Sequence, residues 1–154
     1  MEVCHEKLCF SAIYRERFSR SSDKYNRIWK QEQVPKYVNV SSGIRRDAYV
    51  TAENYPPYNV IANAIQAHNI SESIVLPLRF HQKTQLSAYF ILYLAGTDQL
   101  QPANETRKVV IYIDGQEKNI TEVWGTYDCQ VVSIYVVNLT GAAKVTISPD
   151  NDLH

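Results

Sequence analysis

A chain of 154 residues is sized for one domain, able to bury about 68–70% of its unfolded surface in a single core without disulfides. Its 16 Lys and Arg balance its 16 Asp and Glu and are spread along the chain, so no extended positive field exists to attract nucleic acid or an anionic bilayer. With 11 Tyr against 5 Gly and 6 Pro, and with frequent β-branched residues, the composition favours sheet over helix and excludes disorder.

In chain order, residues 1–22 read as a leader whose order the sequence leaves undecided. Met1–Lys7 is charged and has no apolar h-region, so it is not a signal peptide, and Arg15, Arg17 and Arg20 follow on a polar stretch. No window anywhere reaches the roughly 18–20 apolar residues of a membrane-spanning helix. In an extended Tyr25-Asn-Arg-Ile-Trp29, Tyr25, Arg27 and Trp29 share one side, and Trp29 is read as a core anchor rather than an exposed platform. Tyr37–Val40 alternates ahead of a Ser41-Ser-Gly43 break, and Asp47–Ala52 forms a weak strand. Pro56 and Pro57 make residues 54–59 a turn or extended loop. Residues 59–68 stay ambiguous: Ile61 and Ile65 stand at helical spacing, yet Ile61, Asn63, Ile65 and Ala67 also alternate.

Alternation is clean from residue 73, with Ile74, Leu76, Leu78 and Phe80 on one face. Pro77 cannot donate to a ladder, which sends this strand to a sheet edge or a bulge. Ala88–Ala95 is a short apolar, aromatic run that predicts a buried strand. A polar loop containing Pro102 follows, and Arg107–Ile113 is a β-branched strand closing on Asp114-Gly115, a hairpin dipeptide. Both runs are expected to be interior strands. Val123-Trp124, Gln130–Asn138 and Ala143–Ser148 complete a series of short strands set apart by turn signals. That pattern predicts an all-β fold, an antiparallel β-sandwich.

Five Asn-x-Ser/Thr acceptors, at Asn39, Asn69, Asn104, Asn119 and Asn138, imply a glycosylated surface and a secretory route. The competing explanation is turn chemistry, because Asn, Ser and Thr gather in turns. Cys4, Cys9 and Cys129 allow at most one internal bridge, and spacing does not choose which. Cys4, His5 and Cys9 match no standard zinc spacing, so no metal and no cofactor are expected.

Catalytic patterns are missing. There is no Gly-x-Ser-x-Gly elbow, the four His are scattered, Cys129 follows Asp128 rather than a cation, and Gly is too sparse for a phosphate loop. Glu105, Asp114, Glu117 and Glu122 flank turns and acceptor sites, where solvated charge is the plain explanation. A carbohydrate-active hydrolase would need two carboxyl groups about 5–10 Å apart across a cleft, so the chain is read as a binding module and not an enzyme. Sugars are held by aromatic faces and polar groups. The loop tyrosines Tyr55, Tyr58 and Tyr127 are the candidate ligand-binding residues, strand tyrosines being assigned to the core and to cross-strand pairs.

Four segments carry a resemblance in a consistent order: Tyr25-Asn-Arg-Ile-Trp29, Pro57-Tyr-Asn-Val60, Leu76-Pro-Leu-Arg-Phe80, and the central stretch with Asn104-Glu-Thr-Arg107, Ile111-Tyr112 and Asp114-Gly115. Together they resemble plant malectin-like domains of receptor-like kinase ectodomains, over residues 23–149, with 150–154 as a tail. Tyr93-Leu-Ala-Gly96 stands where that family usually has His-Phe-Ala-Glu, and Val109 stands where it has Phe. The resemblance implies a jelly-roll sandwich of malectin-like type and extended chain over residues 59–68. It also implies an extracellular, non-enzymatic module of a longer plasma-membrane protein, whose ligand is a carbohydrate or a peptide or protein partner. A second malectin-like half is implied as a neighbour, so the chain is expected to be a fragment of such a protein. A degenerate fragment without a ligand is the remaining alternative. No residue of the malectin sugar pocket carries over onto this sequence.

Overall fold

The structure is a computed structural model that describes residues 8–10, 34–42, 56–69, 71–79, 85–96, 106–124 and 129–150. Along them run β1 (Leu8–Phe10), β2 (Val38–Ser41), α1 (Tyr58–Ile61), β3 (Asn63–Gln66), β4 (Ile74–Arg79), β5 (Gln85–Gly96), β6 (Thr106–Ile113), β7 (Gln116–Trp124), β8 (Gln130–Thr140) and β9 (Ala142–Pro149). All pairings among the described strands are antiparallel. Their order is β2-β3-β1-β5-β8-β9-β6-β7, with β4 also paired to β9. β8 and β9 meet at one residue pair, Thr140 with Ala142. The ladder therefore turns a corner there and separates into two layers, β2-β3-β1-β5-β8 and β4-β9-β6-β7. The chain is the all-β sandwich that the turn-separated strands predict, and β5 and β6 are interior strands as expected.

One core lies between the layers. Phe90 and Leu94 of β5, Val132 and Ile134 of β8, Val109, Ile111 and Ile113 of β6, and Val145 and Ile147 of β9 are buried in it. Each such aliphatic side chain contributes about 1.5–3 kcal/mol on burial. Period-two alternation makes this possible: Ile74 is buried, and Leu76 and Leu78 pack half-buried against the same core, while Pro77 and Arg79 face solvent. Asp114 and Gly115 take φ of 51° and 78°, the paired left-handed conformation that a two-residue hairpin requires.

Pro77 does mark an edge strand. β4 pairs with β9 alone among the described residues. Lys144 O accepts from Asp114 N–H and Lys108 O accepts from Asp150 N–H, both at 2.9 Å. The even-numbered residues of β9 thus bond to β6, and in the β4 register Val75 and Pro77 lie opposite even-numbered β9 residues. Their backbone donor positions consequently face away from β9. Pro77 has no donor to offer, and Val75 N–H donates to Tyr37 Oη at 2.6 Å. The Tyr37 hydroxyl donates in turn to Ser73 O at 3.3 Å, and its ring is buried in the core.

Residues 58–66 divide the competing expectations between them, α1 ending at Ile61 and β3 starting at Asn63. The change of conformation sends Ile61 and Ile65, both fully buried, into different apolar clusters. Leu8–Phe10, within the stretch read as a leader, form a strand between β3 and β5. The expectations placed on Trp29, on a strand over residues 47–52 and on Phe80 lie outside the described residues.

Candidate functional site

The outer surface of the β5 and β8 layer is where the aromatic residues collect. Along β5, Phe90 and Leu94 turn inward, so Tyr89, Ile91 and Tyr93 turn outward. At the end near α1 this outer face is covered: Ile61 packs on Tyr93 and Ala95, and Tyr58, Ile91, Cys129 and Val131 are half-buried around them. Further along β5 the face opens. The register slips between Ala88 and Phe90, which pair with Val137 and Ile134, so β8 carries one extra residue opposite Tyr89. Val132 and Ile134 turn inward, so alternation turns Tyr135 outward, and the pairing of Phe90 with Ile134 sets it beside Tyr89.

The two rings stack, with centroids 4.5 Å apart and planes 17° from parallel. They remain 43% and 64% exposed. Tyr89 Oη donates to Ser133 Oγ at 3.1 Å and lies 3.3 Å from Tyr135 Oη. Next along the ladder, Ser87 Oγ donates to Asn138 Oδ1 at 3.1 Å. Aromatic carbon at the surface, edged by hydroxyl and amide groups that donate and accept, suits a ligand with an apolar face and a polar rim. The strand is interior, but Tyr89 is not part of the buried run expected of Ala88–Ala95.

Of the three tyrosines named from sequence, Tyr58 is half-buried at the covered end of this face, and Tyr55 and Tyr127 lie outside the described residues. Tyr89 and Tyr135 were not singled out as candidates. Strand tyrosines are expected in the core or in cross-strand pairs, and these two form such a pair on the outer face; which residues meet is set by the register of β5 on β8 and is not written in either strand alone. Among the glycosylation acceptors, Asn39, Asn69 and Asn138 are exposed and Asn119 is half-buried, while Asn104 lies outside the described residues. Asn69 also serves a turn, its Oδ1 accepting from Ser71 N–H at 2.9 Å.

The turn carboxylates have other tasks. Asp114 Oδ1 accepts from Lys144 N–H at 2.7 Å and so holds the hairpin against β9. Glu117 and Glu122 are exposed on β7, and Glu105 lies outside the described residues. Glu72 is held below the usual carboxylate range by its hydrogen bond from Lys36, the direction opposite to that of a general acid. Burial lowers the pKa of Arg107, which leaves a guanidinium charged at neutral pH. Among the described residues no three His, Cys, Asp or Glu gather as a metal-holding group. No helix among them is long and apolar enough to cross a membrane.

A family model described as "Malectin-like domain" matches residues 5–150. The chain belongs to the malectin-like domain family. Comparison with curated proteins and with solved structures gave no match. A malectin-like domain is a carbohydrate-binding-like module rather than an enzyme, and the two-layer sandwich with an aromatic outer face is in keeping with that class.

Proposed function

We propose that this malectin-like domain is a non-enzymatic extracellular module of a plant receptor-kinase ectodomain, and that it binds a carbohydrate on the outer face of β5 and β8. The exposed Tyr89–Tyr135 stack carries the reading. A pyranose presents an apolar C–H face with hydroxyls at its edge, and the stack offers aromatic carbon with Ser133 and the phenolic oxygens beside it. Tyr58 stands at the covered end of the same face, and the loop tyrosines Tyr55 and Tyr127 join it in the proposal as further contacts. Exposed acceptors at Asn39, Asn69 and Asn138 support the secretory compartment.

The test is glycan-array screening followed by titration of the best ligand. Tyr135→Ala is expected to weaken binding roughly tenfold, the loss of about 1–2 kcal/mol typical of an exposed aromatic contact, whereas Tyr135→Phe keeps most of the affinity. Tyr55→Ala, Tyr58→Ala and Tyr127→Ala map the extent of the site. Binding unchanged in Tyr135→Ala and in all three loop variants discards the face, and glycan hydrolysis discards the non-enzymatic reading.

One observation favours a second reading. Asn138 lies on the same face, opposite Ser87 and one outward position from Tyr89, so the stack could seat the chain's own glycan. In that case glycosylation at Asn138 raises the melting temperature of the parent and not of Tyr135→Ala, and Asn138→Gln acquires no glycan ligand.

A further inference from the structure

β7 ends the four-stranded layer, pairing with β6 alone among the described residues. Its free side can be read from the register. Lys108 O accepts from Asp150 N–H and Asp114 N–H donates to Lys144 O, so even-numbered residues of β6 turn their backbone groups to β9 and odd-numbered ones turn to β7. Lys108 and Val110 lie opposite Glu122 and Ile120. The N–H and C=O of Ile120 and Glu122 therefore point out of the sheet at its open edge.

The side chains along this edge carry opposite charges on the two sides of Ile120, Glu122 on the regular part of β7 and Lys118 at the bulge where the register slips between Ile111 and Tyr112. Gln116, Lys118, Ile120, Glu122 and Trp124 are all exposed, Ile120 at 53% and Trp124 at 47%. If a second β7 pairs antiparallel about a two-fold axis at Ile120, Ile120 faces its own copy in a hydrogen-bonded pair. Lys118 then faces the second copy's Glu122, and Glu122 the second copy's Lys118. Shifting the register by two residues moves the two-fold axis to Thr121 or Asn119 and sets Ile120 against a charge, Glu122 or Lys118 of the second copy.

We infer that β7 is a homotypic interaction edge: two copies of this chain join β7 to β7 antiparallel, centred on Ile120, and their four-stranded layers fuse into one eight-stranded sheet. Main-chain hydrogen bonds supply the affinity of such strand addition, and the side chains set the partner and register. The crossed Lys118 and Glu122 pairs favour this register over others, and the exposed Ile120 and Trp124 supply apolar area to cover.

Sedimentation and light scattering on the full 154-residue chain, produced without glycans so that Asn119 is bare, read the association directly. A dimer that dissociates on dilution is expected, with slowed amide exchange at Ile120 and Glu122. Ile120→Pro removes a donor from the open edge and none from the β6 ladder, so it weakens the dimer about tenfold or more while the melting temperature changes little. Lys118→Glu and Glu122→Lys each weaken it about fivefold by setting like charges opposite one another. The double variant restores the parental dimer, a result that holds even if Ile120→Pro folds poorly. A monomer at every concentration, a dimer indifferent to these charges, or no rescue in the double variant overturns the proposal.

Discussion

The two outer strands of the four-stranded layer handle the same problem differently. On β4 the outward donor positions before the terminal Arg79 are dealt with inside the chain: Pro77 has no donor, and Val75 N–H is held by the buried Tyr37 hydroxyl at 2.6 Å. On β7 the corresponding groups of Ile120 and Glu122 are left outward, between exposed charges of opposite sign. An unmodified edge is a template for another strand. The two edges thus differ in a few donors and their neighbours.

The largest way to break this contrast is Tyr37→Ala. It deletes a ring that is 5% exposed, and by cavity formation is expected to cost about 3–5 kcal/mol of stability, seen as a lower urea midpoint. Tyr37→Phe sharpens the comparison, because it keeps the ring and removes only the oxygen shared by Val75 N–H and Ser73 O. Leaving those groups without that partner is expected to cost about 1–3 kcal/mol. It also opens β4, so self-association should become measurable in a background where Ile120→Pro has closed β7. Pro77→Val restores a donor to the open side of β4. Greater freedom of the unfolded chain lowers stability by about 0.4–1 kcal/mol, and sedimentation should detect added association.

The smallest effect concerns the charges beside the Tyr37 cap. Lys36 Nζ is 2.9 Å from Glu72 Oε1 and 5.3 Å above the Tyr37 ring. The hydrogen bond lowers Glu72 below its ordinary 4.5, so its contribution to stability is complete above that value and is lost as pH falls through the folded one. The same bond raises Lys36 above its ordinary 10.5, so that contribution is complete below it and is lost as pH rises through the folded value. Both groups are solvated and the changes should be slight. Melting curves of the parent and Glu72→Gln between about pH 3 and 7 check the acid side, where the variant should lose less.

How much of this was legible beforehand depended on whether one face of a strand differed from the other. Ile74, Leu76 and Leu78 alternate with Val75, Pro77 and Arg79, so the core face and the edge could both be read from residues 74–79, and Asp114-Gly115 announced its turn. Ala88–Ala95 hid its two sides, because α1 covers part of the outer face and so Tyr93 and Ala95 are apolar there as well. The Tyr89–Tyr135 pair depends on the register of β5 against β8, which neither segment carries by itself. Residues 58–66 defeated periodicity for a related reason: helix and strand each claim one isoleucine, and the chain changes conformation between them.

Gly141 is the single residue between β8 and β9, with φ of 70°. The strands it joins lie in different layers, yet their principal partners, β5 for β8 and β4 and β6 for β9, are distant in sequence. This corner is the shortest covalent route from one layer to the other, and closing it early spares much of the loop entropy that slows folds rich in long-range pairings. A methyl group added there meets nothing within 4 Å, so Gly141→Ala costs only its backbone conformation, about 1–2 kcal/mol. That cost should appear mainly as slower refolding with little change in the unfolding rate, making the corner a timing element for assembly of the sandwich.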